Sequence, residues 1–157
     1  MPIRYQHTEH IRATPEQVFA AIDDLPLTAK WLPPCVSLSK VGPGPNAPGD
    51  KLRYVHKQGG RQGEMDGEII ARRPGEQLHC KYRDRMFEVS VDLRVAAAPD
   101  GTVTTHTIEI TPKTWMGTLM WPLIRLGLGK QTRDAAANLK KLLEATTAGG
   151  KVEGDRS

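Results

Sequence analysis

Among residue types that move protons or bind metals, the five histidines come first. His56 shares one face of an alternating segment with Leu52 and Tyr54, and His106 shares one with Ile108 and Ile110. An imidazole in such a setting hydrogen-bonds a ligand, serves as acid or base, or is a core or edge histidine satisfied by its own fold. His7 and His10 are three apart on an alternating segment and so face opposite ways. Zinc needs three or four convergent ligands, so no metal site is expected. The carboxylates form no dyad. Glu64, Asp66 and Glu68 share one face opposite Met65, Gly67 and Ile69, as a solvent side would, and Glu109 stands opposite Ile108 and Ile110. Arg53, Arg83 and Arg94 could meet an anion, but charged strand residues are mostly exposed.

Other catalytic signatures fail on inspection. GLGK at 127–130 resembles the end of a phosphate loop, but that loop needs glycine where Ile124 stands and Ser or Thr where Gln131 stands. There is no GxSxG nucleophile elbow. Cys35 and Cys80 make neither a metal nor a redox motif, nor a disulfide framework. No catalytic residue is assigned beyond His56 and His106 as candidates, and no cofactor is expected.

The most apolar stretch, WMGTLMWPLIRLGL at 115–128, holds two of the three tryptophans, two of the five methionines and a single charge. Met and aromatic side chains make adaptable apolar linings. Three readings compete for it. It is the sheet-facing start of a helix, the lining of a cavity mouth, or an exposed face that touches a membrane or partner.

The elements that must position these residues follow from period and punctuation. Ile3 to Ile11 alternates weakly and reads as a strand. Thr14-Pro15-Glu16-Gln17 is a helix start with cap, first-position proline and capping-box partner. Val18, Phe19 and Ile22 form that helix's buried side, and a second short helix fits Pro26 to Trp31. Strands follow over 35–41, 51–57, 63–73, 77–85, 87–95 and 102–111, the cleanest alternating Phe87, Val89, Val91, Leu93 and Val95 with polar residues. GPGPNAPGD at 42–50 is a loop. Connections this short require antiparallel pairing. After Pro112 the period becomes helical through Ile124, Leu128, Ala135, Leu139 and Leu142, ending near Glu144, with Gly127 and Gly129 expected to weaken or bend its start.

At 157 residues and 38% hydrophobic content the chain is one globular domain, not a disordered or fibrous one. The domain is expected over 1–145, with 146–157 a flexible polar tail. The net charge of +4 is interleaved rather than gathered in a stripe, which argues against nucleic acid as a partner. No apolar run is long enough to span a membrane, and MPIRYQHTEH has no signal-peptide pattern. The expectation is a reduced, cytoplasmic protein of unknown oligomeric state.

One antiparallel sheet has one apolar face to cover, and only the terminal helix is long enough to cover it. A curved sheet around a helix leaves space between them, and such spaces are ligand pockets.

This order resembles the helix-grip fold of the START/Bet v 1-like (SRPBCC) superfamily, most closely its polyketide cyclase/dehydrase and lipid-transport branch. TPEQVFAAID at 14–23 is similar to the family's opening strand-to-helix segment, and AKWLP at 29–33 to its tryptophan-containing second helix. The return from VG at 41–42 through PGDKLR at 48–53, the hairpin GEIIARRPGEQL at 67–78 and the helix end NLKKLLE at 138–144 resemble the rest. The resemblance implies an α+β fold, a curved antiparallel sheet of about seven strands around a long C-terminal helix, with two short helices after the first strand. Family members bind lipids, quinones, polyketides, hormones or partner proteins, and fold analogy does not choose among these.

The leading expectation is a binding protein for a hydrophobic small molecule of lipid, quinone or polyketide type. Trp31, Tyr54, His56, Tyr82, His106, Trp115, Leu119, Ile124 and Leu128 are expected to contact it. The alternatives are a cofactor-free cyclase or dehydratase and a partner-binding module of the chaperone-activator or quinone-delivery kind. Residues 113–129 and the 42–50 loop are expected to form the entrance.

Overall fold

The computed structural model describes the backbone of residues 2–58 and 60–156, and side chains for 2–57 and 60–145. Strand β1, Ile3–Ile11, is followed by α1, Pro15–Asp23, a 3-10 turn at Leu25–Leu27, and α2, Thr28–Trp31. The Thr14 hydroxyl accepts from Gln17 N while the Gln17 side chain accepts from Thr14 N, so the cap forms as its sequence requires. Six strands come next: β2 (Cys35–Lys40), β3 (Lys51–Gln58), β4 (Arg61–Arg73), β5 (Gln77–Arg83), β6 (Phe87–Ala98) and β7 (Gly101–Pro112). The helices α3, Trp115–Leu119, and α4, Trp121–Arg156, complete the chain.

The strands form one antiparallel sheet in the order β1-β7-β6-β5-β4-β3-β2. β1 and β2 are neighbours in sequence but lie at opposite edges, so α1 and α2 carry the chain across the sheet's inner face. α4 crosses the same face and packs mainly on β1, touching α1 and α2. This is the helix-grip fold. Register shifts at Cys35/Ser37 and Ile69/Ala71 interrupt the ladders, and such bulges bend strands.

Alternation decides what faces inward. On β5 Leu78, Cys80 and Tyr82 are buried while their neighbours are not, and on β4 the same holds for Met65, Gly67 and Ile69. Their opposite faces carry charge: Arg53 pairs with Glu64, Lys51 with Glu68 and Lys81 with Glu88 across the outer surface. At one end of the molecule the interior is solid, filled by Ile11, Val18, Phe19, Ile22, Val95, Leu139 and Leu143.

One expectation about α4 needs correction. The interruption falls at Met120, between α3 and α4, and the helix runs unbroken through Gly127 and Gly129. Pro122 explains the place, because proline lacks an N–H and is tolerated only in a helix's first turn. Gly129 serves packing instead: a Cβ there would lie 3.2 Å from the Tyr5 ring of β1. The backbone of α4 runs on to Arg156, and the side chains of 146–157, the stretch expected as a polar tail, lie outside the described residues.

Candidate ligand-binding cavity

Where the core is not solid, a cavity of about 650 Å³ lies between the sheet and the first turns of α4. Its walls come from six strands, among them Leu38 on β2, Tyr54 and His56 on β3, Met65 on β4, Leu78, Cys80 and Tyr82 on β5, Val89, Val91 and Leu93 on β6, and His106, Ile108 and Ile110 on β7. Ile124, Leu128 and Gln131 of α4 cover it, and Ile22, Leu25 and Trp31 close its inner end. Ligand pockets are typically of this size and this apolar, with a few placed polar groups.

The aromatic wall depends on two glycines of β4. His56 pairs with Gly63, and Tyr82 with Gly67, in the strand registers. A Cβ at Gly63 would come within 2.8 Å of the His56 ring, and one at Gly67 within 2.6 Å of the Tyr82 ring. Both rings therefore lie across strand β4 where only glycine leaves room, a known use of strand glycine. Tyr54 stands between them, its ring centroid 5.3 Å from Tyr82 and 5.6 Å from His56. Burial pushes the phenols of Tyr54 and Tyr82 above their ordinary range, so both remain protonated.

At the inner end stand polar groups. His106 is buried on β7 directly opposite His7 of β1, and its ring meets Trp31 edge-on with centroids 6.4 Å apart. Burial, and after it the neighbouring His7, pulls the His106 imidazole down to about 4. It is neutral at physiological pH, able to accept or give a hydrogen bond and poor at taking a proton. Trp31 Nε1 and His7 Nε2 are buried without a hydrogen-bond partner, which is uncommon in folded proteins. Trp31 is held from behind, because Asn138 Nδ2 of α4 donates to its carbonyl at 3.2 Å.

The thiols are inert. Burial raises Cys35 to about 11 and Cys80 to about 12, so neither is a thiolate nucleophile at neutral pH. The one carboxylate on the cavity wall, Asp84, accepts from the backbone N–H of Met86 and Phe87, both at 2.8 Å, and so fixes the β5–β6 turn. Among the described residues no carboxylate is paired with His56 or His106, and no group of three or more His, Cys, Asp or Glu is arranged to hold a metal ion.

Of the nine residues expected to contact a ligand, Trp31, Tyr54, His56, Tyr82, His106, Ile124 and Leu128 line the cavity. Trp115 and Leu119 do not: they are 72% and 69% exposed. α3 meets the end of the sheet through Gly117, beside Met86, Phe87 and Pro112, while its large side chains stand outward. The exposed residues on the cavity wall are instead Met120 and Leu123, together with Arg61 and Gln62 of the β3–β4 hairpin, and these mark its mouth. The 42–50 loop is likewise not at the mouth. Asn46 Nδ2 donates to the Asp23 carbonyl and carboxylate at 2.7 and 2.9 Å, and Lys40 Nζ to the carbonyls of Pro43, Gly44 and Pro45. Val89, Val91 and Leu93 line the cavity as well, beyond the residues expected, and the clear alternation of β6 is the signal that marks them.

The fold and the cavity define a helix-grip protein with an apolar cavity. A sequence model of the family described as polyketide cyclase / dehydrase and lipid transport matches residues 2–144, and the chain belongs to that family. Three solved structures illustrate the shared fold. The START superfamily protein from Mycobacterium smegmatis is 15% identical at a TM-score of 0.75, covering 91% of this chain and 98% of that one. Ara h 8.0201 is 14% identical at 0.66, with coverage of 92% and 99%. The di-domain ARO/CYC StfQ from the steffimycin biosynthetic pathway is 10% identical at 0.74, covering 94% of this chain and 52% of that one. At such identities the likeness is one of fold. No curated protein matches the sequence. Among the described residues no helix is long and apolar enough to cross a membrane.

Proposed function

We propose that this chain binds an apolar small molecule, of lipid, quinone or polyketide type, in the cavity between the sheet and α4. The observation that supports this most is the cavity itself, about 650 Å³ with a wall mainly of aliphatic and aromatic side chains. Tyr54, His56 and the Trp31–His106 end would orient the ligand's few polar atoms, and Val89, Val91, Ile124 and Leu128 would contact its body. With both cysteines free and buried, the reading keeps a reduced, cytoplasmic protein. Native mass spectrometry and fluorescence titration with a long-chain fatty acid, a quinone and an aromatic polyketide test it. At least one class should bind at one per chain, and Val91→Phe, which intrudes on the cavity, should weaken that binding about tenfold or more. Failure of every class to bind the folded protein would refute it.

A second reading is a cofactor-free cyclase or dehydratase that acts by holding a flexible chain in one geometry. The grouping of Tyr54, His56 and Tyr82 on one wall favours it, as does the likeness to two ARO/CYC di-domain structures. His56 would be its acid or base, since His106 is too weak a base at neutral pH. Unchanged turnover of a confirmed substrate by His56→Gln would discard that role.

A further inference from the structure

Six of the nine large apolar side chains that stand exposed among the described residues fall within twelve positions: Trp115, Met116, Leu119, Met120, Leu123 and Leu126. Such a concentration on a small domain marks an interaction surface. Gly117 is its anchor in α3, set close against the Met86 carbonyl and the Phe87 ring, where a Cβ would meet them at 2.9 and 3.2 Å. It is also continuous with the cavity, since Met120 and Leu123 belong both to the patch and to the mouth.

The charges along this stretch of the chain all have one sign. Between Glu109 and Asp134 the chain carries Lys113, Arg125, Lys130 and Arg133 and no acid, and all four are exposed. The outward stripe of α4 runs Leu123, Leu126, Lys130, Arg133. At 1.5 Å per residue the two cations stand about 6 and about 10 Å along the axis from Leu126. An interfacial helix lies in the membrane plane with its apolar face in the headgroup–acyl boundary and its cations at the headgroups, and Lys130 and Arg133, within two turns of Leu126, can reach those headgroups.

We propose that α3 and the first turns of α4 dock the protein on an anionic lipid bilayer, with the cavity mouth facing the membrane. A second copy fits less well, because two such faces would oppose cation to cation. Nucleic acid fits less well, because the centre of the surface is apolar rather than polar. The surface stands on its own observations; only its use in loading the cavity rests on the ligand-binding reading.

The experiment is flotation of the full chain with phosphatidylcholine vesicles, with and without phosphatidylglycerol at about three in ten lipids, beside light-scattering chromatography. Wild type should float with the anionic vesicles and lose most of this at high salt. Lys130→Glu/Arg133→Glu should weaken flotation about tenfold or more. Leu119→Glu/Leu126→Glu should abolish it, yet still bind a fatty acid in vesicle-free solution, because neither residue lines the cavity. All four side chains are exposed, so both variants should melt like wild type. Absence of flotation by folded wild type, or flotation indifferent to both variants, would overturn the proposal. So would a dimer that Leu119→Glu/Leu126→Glu dissociates while no vesicle binding occurs, which would give the face to a second copy. Loss of fatty-acid binding without loss of flotation would refute the cavity reading alone.

Discussion

The ring of Tyr82 lies across Gly67 of the neighbouring strand so closely that a Cβ at 67 would come within 2.6 Å of it. The nearest other group to that Cβ would be the Leu52 side chain at 3.1 Å, so the ring cannot simply slide towards β3. Gly67→Ala must therefore push Tyr82 into the cavity or spread β4 from β5. Overpacking of this kind costs about 1–3 kcal/mol. The expected result in chemical denaturation is a lower midpoint with an unchanged slope, together with weaker ligand binding. Wild-type stability and binding would mean that the ring has another place to go.

His106 gives the fold an acid-sensitive element. Its folded pKa, about 4, lies below the ordinary imidazole value of 6.5 because burial disfavours the imidazolium. Between those values the unfolded chain binds the extra proton and the folded chain does not. Stability therefore rises with pH through this window, and is lost as pH falls from 6.5 towards 4. The full effect is on the order of 3 kcal/mol. His106→Gln, which cannot titrate, should flatten this limb of the melting temperature against pH. An unaltered profile would show that the carboxylates account for it.

The ease with which these features can be read from sequence differs by their range. Strand faces were legible because Leu78, Cys80 and Tyr82 alternate with polar neighbours, and TPEQ announces a helix start within four residues. The Gly67–Tyr82 fit was not, because it depends on a register between two strands joined by a turn. Trp31 illustrates the same limit: its partners, His106 and Asn138, lie far along the chain. The direction of α3 was illegible for another reason. WMGTLM has the composition of a buried segment, yet only its Gly117 is buried and its large side chains stand outward.

Asp23 ties three separate parts of the chain together. Arg72 donates to both its carboxylate oxygens, at 2.9 and 2.8 Å, Asn46 donates to one of them, and the guanidinium lies 5.5 Å from the Phe19 ring centre. Burial alone would raise the Asp23 carboxyl, but the donors outweigh it and hold the carboxyl below its usual value. Its stabilisation is thus present above the unfolded carboxylate pKa and lost as pH falls through the lower folded one. Asp23→Asn should cost about 2 kcal/mol at neutral pH, roughly 4–8 °C in melting temperature. The deficit should shrink in strong acid, where wild type loses the same charge. A deficit independent of pH would assign the effect to packing.

Hydrogen exchange should separate the two segments first expected to form the entrance. The 42–50 loop is glycine- and proline-rich, yet it is tied down: Gly49 N donates to Ile69 O at 2.8 Å, and Ala47 N to the Asp50 carboxylate at 2.9 Å. Residues 115–127 have helical bonds of their own, but only Gly117 among them is buried, so little tertiary packing opposes their opening. Low-stability segments with few buried contacts open first. The amides of 115–127 should therefore exchange well before those of β6, with Gly49 and Ala47 slower than their composition suggests. Ligand in the cavity should slow the amides around Met120 to Ile124, which line the mouth and its roof. Protection of 115–127 equal to that of β6, unmoved by ligand, would mean that α3 and the start of α4 are a fixed part of the wall and that entry lies elsewhere.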